Sequence, residues 1–160
     1  MANQYPYLKS ASEPLGVVEQ IAAAVTMNPD EDAAYAALIT WFGRLLAPDP
    51  VVWQYCGQNE AMVEGREELA KCYFDQTLRY TAYDHTTYSL ILLDENTALA
   101  QGVVNIKGRF IPPGRNEVRH LGLHRFLYLI EKVEERWRLK KWVLEQVDSL
   151  ESALEIIRRR

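Results

Sequence analysis

The period of the apolar residues changes once along this chain, and that change limits its possible folds more than any other feature. Up to about residue 80, apolar residues recur at i+3 and i+4 spacing, the pattern of helices buried on one side. From residue 86 onward they recur at every second position, and Thr97 to Phe110 alternates between two faces along its whole length. Helices followed by a run of long strands predict an α+β protein with N-terminal helices packed on an antiparallel sheet.

Turn and capping residues divide this pattern into elements. Helices are predicted over about residues 14–27, from Asp30 to Pro48, from Gly65 through Tyr80, and after Asp148, which is expected to cap the last helix. Strands are predicted over residues 51–56, 86–93, 97–110, 118–133 and 137–147. Glycines within strands permit sharp bends, so we expect the sheet to curve strongly and to form a cone with a cavity.

Composition and charge exclude several classes of protein. A chain of 160 residues, with 18 basic and 22 acidic side chains, fits one globular domain. The acids dominate the first 100 residues, whereas the basic side chains of the last 60 alternate with apolar ones, as on the wet face of a strand. We therefore expect no nucleic-acid partner. No apolar run could cross a bilayer, no signal-like segment begins the chain, and the two cysteines are far apart, which together favour a cytoplasmic protein without a disulfide.

Two short motifs suggest a family. The segment Val63–Leu69 reads Val-Glu-Gly-Arg-Glu-Glu-Leu and precedes Tyr73-Phe74, and the segment Arg136–Leu139 reads Arg-Trp-Arg-Leu and precedes Trp142. With the order of elements, these motifs resemble the nuclear transport factor 2-like superfamily, and within it the SnoaL-like and ketosteroid-isomerase-like proteins. The resemblance covers residues 30–147, the cone domain; residues 1–29 would then be an N-terminal arm and extra helix, and residues 148–160 a C-terminal helix.

The resemblance implies a fold and a cavity, but it leaves the activity open, because the superfamily hosts isomerases, dehydratases and non-catalytic proteins. Residues Thr97–Asn116 contain no Asp or Glu, so the donor acid of the steroid isomerases has no counterpart there. Dehydratase-like members use histidines, an acid and tyrosines. By this resemblance, His124 and Tyr55 are the candidate catalytic pair. The alternative is a structural role for His124, in which its imidazole is already hydrogen-bonded to a nearby carbonyl or tyrosine.

The candidate ligand-binding residues are aromatic or polar side chains at positions that could face the cone. They are Trp41, Trp53, Tyr73, Tyr88, Gln101, Asn105 and His120. The alternation of Gln101 and Asn105 with apolar residues leaves two possibilities: their face lines the cone, or it faces solvent or a second subunit. No metal site is predicted, since His120 and His124 lie roughly 13 Å apart on a strand, and no cofactor motif is present.

These observations predict a protein that binds a small, mainly apolar molecule in the cone. Two alternatives stay open: a cofactor-free isomerase or dehydratase that uses a cavity histidine, and a non-catalytic interaction module. A homodimer is expected in any case, because Leu121, Leu123, Leu127 and Leu129 make the strand face opposite His124 apolar.

Overall fold

The computed structural model describes residues 13–25, 44–48, 50–57, 61–69, 78–110 and 122–159. Two helices of nine or more residues and six strands lie within these ranges, and residues 44–45 and 66–69 are helical as well. The helices are α1 (Pro14–Val25) and α2 (Leu150–Arg158), and the strands are β1 (Val52–Cys56), β2 (Ala61–Glu64), β3 (Leu78–Asp94), β4 (Thr97–Phe110), β5 (Gly122–Val133) and β6 (Arg136–Gln146). The predicted helix after Asp30 and the predicted boundary between residues 29 and 30 fall outside the described residues, except that residues 44–45 are helical.

The strands form a single curved sheet in the order β2-β1-β6-β5-β4-β3. The α+β prediction is therefore confirmed, but the sheet is mixed rather than purely antiparallel, because β1 runs parallel to β6. A parallel pair needs a long connection, and here about half of the chain, residues 57–135, lies between the two strands. The sheet does not close into a barrel, since β2 and β3 are its two edges.

The structure corrects several of the predicted boundaries. The third predicted helix was expected to include Tyr80, but β3 already begins at Leu78, where it pairs with Phe110 of β4. Pairing along the full length of β4 keeps this segment extended. Strand β2 was not predicted, because four residues are too few to show alternation. The last helix is capped by Ser149, whose Oγ accepts the Ser152 N–H at 3.1 Å, and not by Asp148.

The two faces of the sheet are covered differently. We call the face that packs against α1 the inner face; β3, β4 and β5 carry His85, Val104 and His124 on it, in register with one another. The main core lies there, and α1 contributes Val17, Val18, Ile21 and Val25 to it. On the opposite, outer face, α2 contacts β4 and β5. Val103 of β4 and Ala153 and Ile157 of α2 are buried there, separately from the main core.

Small side chains on β4 shape the inner face. Gly102 lies opposite Phe126, and Ala100 lies opposite Tyr128. Because these two positions of β4 carry little or no side chain, His85 on β3 can reach across the strand to a residue of β5. The bend of the sheet is also visible here, as the β3–β4 register shifts between Thr87 and Ser89.

Candidate functional site

The inner face carries two histidine–tyrosine pairs, and the first of them is His124 with Tyr55. The Tyr55 hydroxyl and His124 Nε2 are 3.0 Å apart, and His124 Nδ1 lies 3.1 Å from the carbonyl oxygen of Gly122. Since a carbonyl can only accept, Nδ1 donates to Gly122 and Nε2 accepts from the Tyr55 hydroxyl. Both nitrogens of His124 are thus bonded within the protein, and its side chain is 0% exposed.

The second pair is His85 with Tyr128. His85 Nε2 lies 2.7 Å from the Tyr128 hydroxyl, and the imidazole meets the ring of Phe126 edge-on at 5.1 Å between centroids. Tyr128 is completely buried and stacks on Phe126 at 4.4 Å. These contacts fix one edge of the His85 ring. Its other nitrogen, Nδ1, has no hydrogen-bond partner in the part of the chain that the structure describes.

Burial keeps both pairs uncharged near neutral pH. It lowers the pKa of His85 from 6.5 to about 3, and it lowers the pKa of His124 as well. It also raises the pKa of both tyrosines, that of Tyr128 well above 10.0. A charged imidazole would have to give up its hydration here without gaining an anionic partner, so the neutral form is favoured.

A cleft of about 470 Å³ opens between α1 and β3 beside His85. Its lining among the described residues comes from two elements: Leu15, Val18, Glu19 and Ala22 of α1, and Tyr83, Asp84, His85 and Thr87 of β3. The volume lies within the usual range of small-molecule sites, roughly 300–1,000 Å³.

The local sequence explains why these side chains converge. Leu15, Val18 and Ala22 recur at helical spacing, so they form one stripe along α1. On β3, Tyr83, His85 and Thr87 occupy every second position and therefore share one side of the strand. Asp84 also reaches the cleft, because β3 is the edge of the sheet and none of the other described strands covers it.

Only some of the residues predicted from sequence meet at this face. His124 and Tyr55 pair as described, and Trp53 stacks against Tyr55 at 6.2 Å. Gln101 is buried and Asn105 is exposed, but both lie on the outer face, because Val104 between them faces inward. The face of β4 that carries Gln101 and Asn105 therefore does not line the cleft, which decides between the two orientations that the sequence left open. Tyr88 is 47% exposed, and Trp41, Tyr73 and His120 lie outside the described residues.

The sequence prediction did not select His85 as a site residue. Its strand was expected to begin at residue 86, which placed His85 before the strand. A signal was present, because the aromatic and β-branched residues that favour strands already occur upstream of residue 86, at Tyr80, Thr81 and Tyr83. A strand that includes them extends past His85 and puts it on the same face as Tyr83.

The described residues contain no group of three His, Cys, Asp or Glu side chains placed to hold a metal ion. None of their helices is long and apolar enough to cross a membrane.

Comparison with solved structures places this architecture among known folds. An NTF2-like protein from Cytophaga hutchinsonii is 13% identical, with a TM-score of 0.60 over 83% of this chain and 94% of that one. A ketosteroid isomerase-like protein from Erwinia carotovora atroseptica is 17% identical, with a TM-score of 0.54 over 86% and 98% of the two chains. An NTF-2 like protein of unknown function from Shewanella oneidensis is 13% identical, with a TM-score of 0.51 over 84% and 100%.

The chain therefore has the NTF2-like fold, as the resemblance in the sequence implied. Comparison with family models finds no match, and neither does comparison with curated protein sequences. At these identities the likeness concerns the fold, so any function has to be argued from the cleft itself.

Proposed function

We propose that the protein binds a small, mainly apolar molecule in the cleft between α1 and β3, with His85 as the polar group that orients it. The observation that carries this proposal is the combination of a ligand-sized cleft with an imidazole that is held at one nitrogen and has no partner among the described residues at the other. Small-molecule sites typically combine an apolar wall with a few fixed polar groups.

The two walls supply these two components. Leu15, Val18 and Ala22 present aliphatic surface from α1, and burial of such surface favours binding by about 25 cal/mol per Å². From β3, His85 adds a neutral hydrogen-bonding group whose orientation Tyr128 fixes. A ring that is already oriented loses little conformational freedom when a ligand binds, which supports affinity.

An enzyme, a cofactor-free isomerase or dehydratase, is the second candidate. The observation in its favour is that Asp84, a carboxylate, and His85, a neutral imidazole, line the same cleft. With a pKa of about 3, His85 is too weak a base to accept a proton efficiently near neutral pH, so it would act as a hydrogen-bonding group toward a substrate oxygen. Asp84 would be the base. The enzyme would be favoured if the wild type turned over a carbonyl substrate and Asp84→Asn lost this turnover but still bound the substrate.

The outer face supports a homodimer in addition to ligand binding. Leu123, Leu127 and Leu129 are half-buried there beside α2 and offer apolar surface to a second copy, whereas the fourth predicted leucine, Leu121, lies outside the described residues. Light scattering is expected to give twice the chain mass of 18.5 kDa, and a monomer at micromolar concentration would contradict the dimer.

The test of the main proposal uses phenylbutanol, a neutral molecule with an apolar body and one hydroxyl group. We expect saturable binding in the millimolar range, because a ligand of this size gains about 0.3 kcal/mol per heavy atom or more. His85→Phe should weaken binding about fivefold or more through the lost hydrogen bond. Tyr88→Phe, on the same strand but outside the lining, is the matched control and should bind like the wild type. Absence of saturable binding to the wild type, or equal binding by His85→Phe, would overturn the proposal.

A further inference from the structure

The mouth of the cleft carries two carboxylates, one on each wall. Glu19 lies on α1 and Asp84 on β3, and both side chains are exposed. Neither has an ion pair or a hydrogen bond within the described part of the chain. Exposed carboxylates that face no cation are common on surfaces, but here the two border the same cavity.

No opposing charge reaches the cavity from its described lining. Of the eight lining residues, two are acidic, none is Lys or Arg, and the remaining polar groups are uncharged near neutral pH. Within the described lining, the negative charge at the mouth is therefore not compensated. A cleft with walls of low polarity concentrates such a field, so it attracts cations and repels anions.

We propose that the ligand of this cleft carries one cationic centre, a protonated amine, at the end of its apolar body. The inference rests on the proposed function, since it specifies the ligand class of the same cleft. The apolar body lies against Leu15, Val18 and Ala22, and the ammonium group lies between Glu19 and Asp84 at the mouth. A carboxylate of the same shape is excluded by like-charge repulsion.

Three probes with the same apolar body separate charge from shape: phenylbutylamine, phenylbutanol and phenylbutanoate. Calorimetric or NMR titration of the wild type is expected to rank them in that order. The amine should bind about tenfold more tightly than the alcohol, and the carboxylate more weakly than either. Raising the salt concentration should weaken binding of the amine and leave the alcohol unchanged, because exposed charge pairs are screened.

The matched variants change charge without changing shape. Glu19→Gln combined with Asp84→Asn should reduce the affinity for the amine to that for the alcohol, about tenfold, with the affinity for the alcohol unchanged. Glu95→Gln combined with Glu151→Gln removes the same charge at exposed sites outside the lining and should leave all three affinities unchanged.

The outcomes distinguish this inference from the proposal on which it depends. If the alcohol binds as tightly as the amine, or if the control pair weakens the amine as much as the cleft pair does, the cationic ligand is overturned and the apolar cleft stands. If none of the three probes binds saturably at millimolar concentration, both proposals are overturned. Tighter binding of the carboxylate than of the amine would reverse the inferred charge.

Discussion

The two histidine–tyrosine pairs of the inner face have the same chemistry, but they differ in whether a ring nitrogen of the histidine is accessible to a ligand. His124 and His85 flank Val104 in register, so they lie roughly 10 Å apart across one strand. Both are neutral, and both bond a buried tyrosine. His124, however, also bonds the Gly122 carbonyl and is sealed from solvent, whereas one nitrogen of His85 lies beside a cleft and bonds none of the described residues. A buried histidine is therefore informative about function only after each of its nitrogens has been followed to its partner.

The largest effect is expected at Gly102, the position that allows the His85–Tyr128 pair to form. A Cβ there would overlap the backbone oxygen of Thr86 and lie 2.7 Å from Phe126 Cε2, so Gly102→Ala should displace the Phe126 ring toward the His85 pair. We expect a loss of about 3 kcal/mol in the free energy of unfolding, measured by urea denaturation. Gly65→Ala is the control, because a Cβ there meets nothing within 4 Å and only its positive φ opposes the change. A cost of about 1–2 kcal/mol is expected for it. Equal costs would show that Gly102 does not hold this space open.

Removal of each imidazole should separate a structural role from a binding role. His124→Ala removes the hydrogen bond between Nε2 and the Tyr55 hydroxyl and empties a fully buried position, so we expect a loss of about 2 kcal/mol in stability and unchanged affinity for phenylbutanol once folded. His85→Ala borders the cleft, where water can enter, and should cost about 1 kcal/mol while it weakens binding about fivefold or more. The two values come from thermal unfolding and from titration of the same samples. If His124→Ala abolished binding and kept its melting temperature, the roles of the two residues would be exchanged.

A pH-dependent effect, smaller per pH unit than the effect of Gly102→Ala or of His124→Ala, is expected through the lowered pKa of His85. In the unfolded chain this imidazole titrates near 6.5, but in the folded protein only near 3. Its contribution to stability is therefore complete above about pH 6.5 and is lost progressively as the pH falls toward 3, at about 1.4 kcal/mol per pH unit. His85→Gln removes the titrating group, so its stability should fall less steeply than that of the wild type between about pH 6 and about pH 4. Identical slopes in the two proteins would show that His85 titrates normally when folded.

Much of the fold could be predicted because periodicity reports which face a strand buries. The alternation of β4 predicted its limits at Thr97 and Phe110, and the even-numbered face of β5 with His124 is buried as expected. The turn at Glu134 and Glu135 was predicted as well, and both residues adopt positive φ there. Periodicity does not report which strands pair with one another. The parallel pairing of β1 with β6 joins segments far apart in the chain, and no local pattern encodes that contact.

The candidate site was predicted less well, for a related physical reason. A strand pattern shows that His124 faces inward, but it cannot show that Gly122 supplies a carbonyl for its second nitrogen. Nor can it show that the cleft opens at the β3 edge, since that depends on where α1 crosses the sheet. The polar residues Gln101 and Asn105 form a pattern that suggested a site, yet their register on β4 places them on the outer face.

The central claim, that ligands enter at His85 and leave His124 undisturbed, can be tested directly by NMR of the imidazole nitrogens during titration with phenylbutanol. The resonances are assigned from His85→Gln and His124→Gln. We expect the His85 Nδ1 resonance to shift progressively and saturably as the cleft fills, while both nitrogens of His124 keep their positions. A saturable shift at His124 with none at His85 would contradict the account.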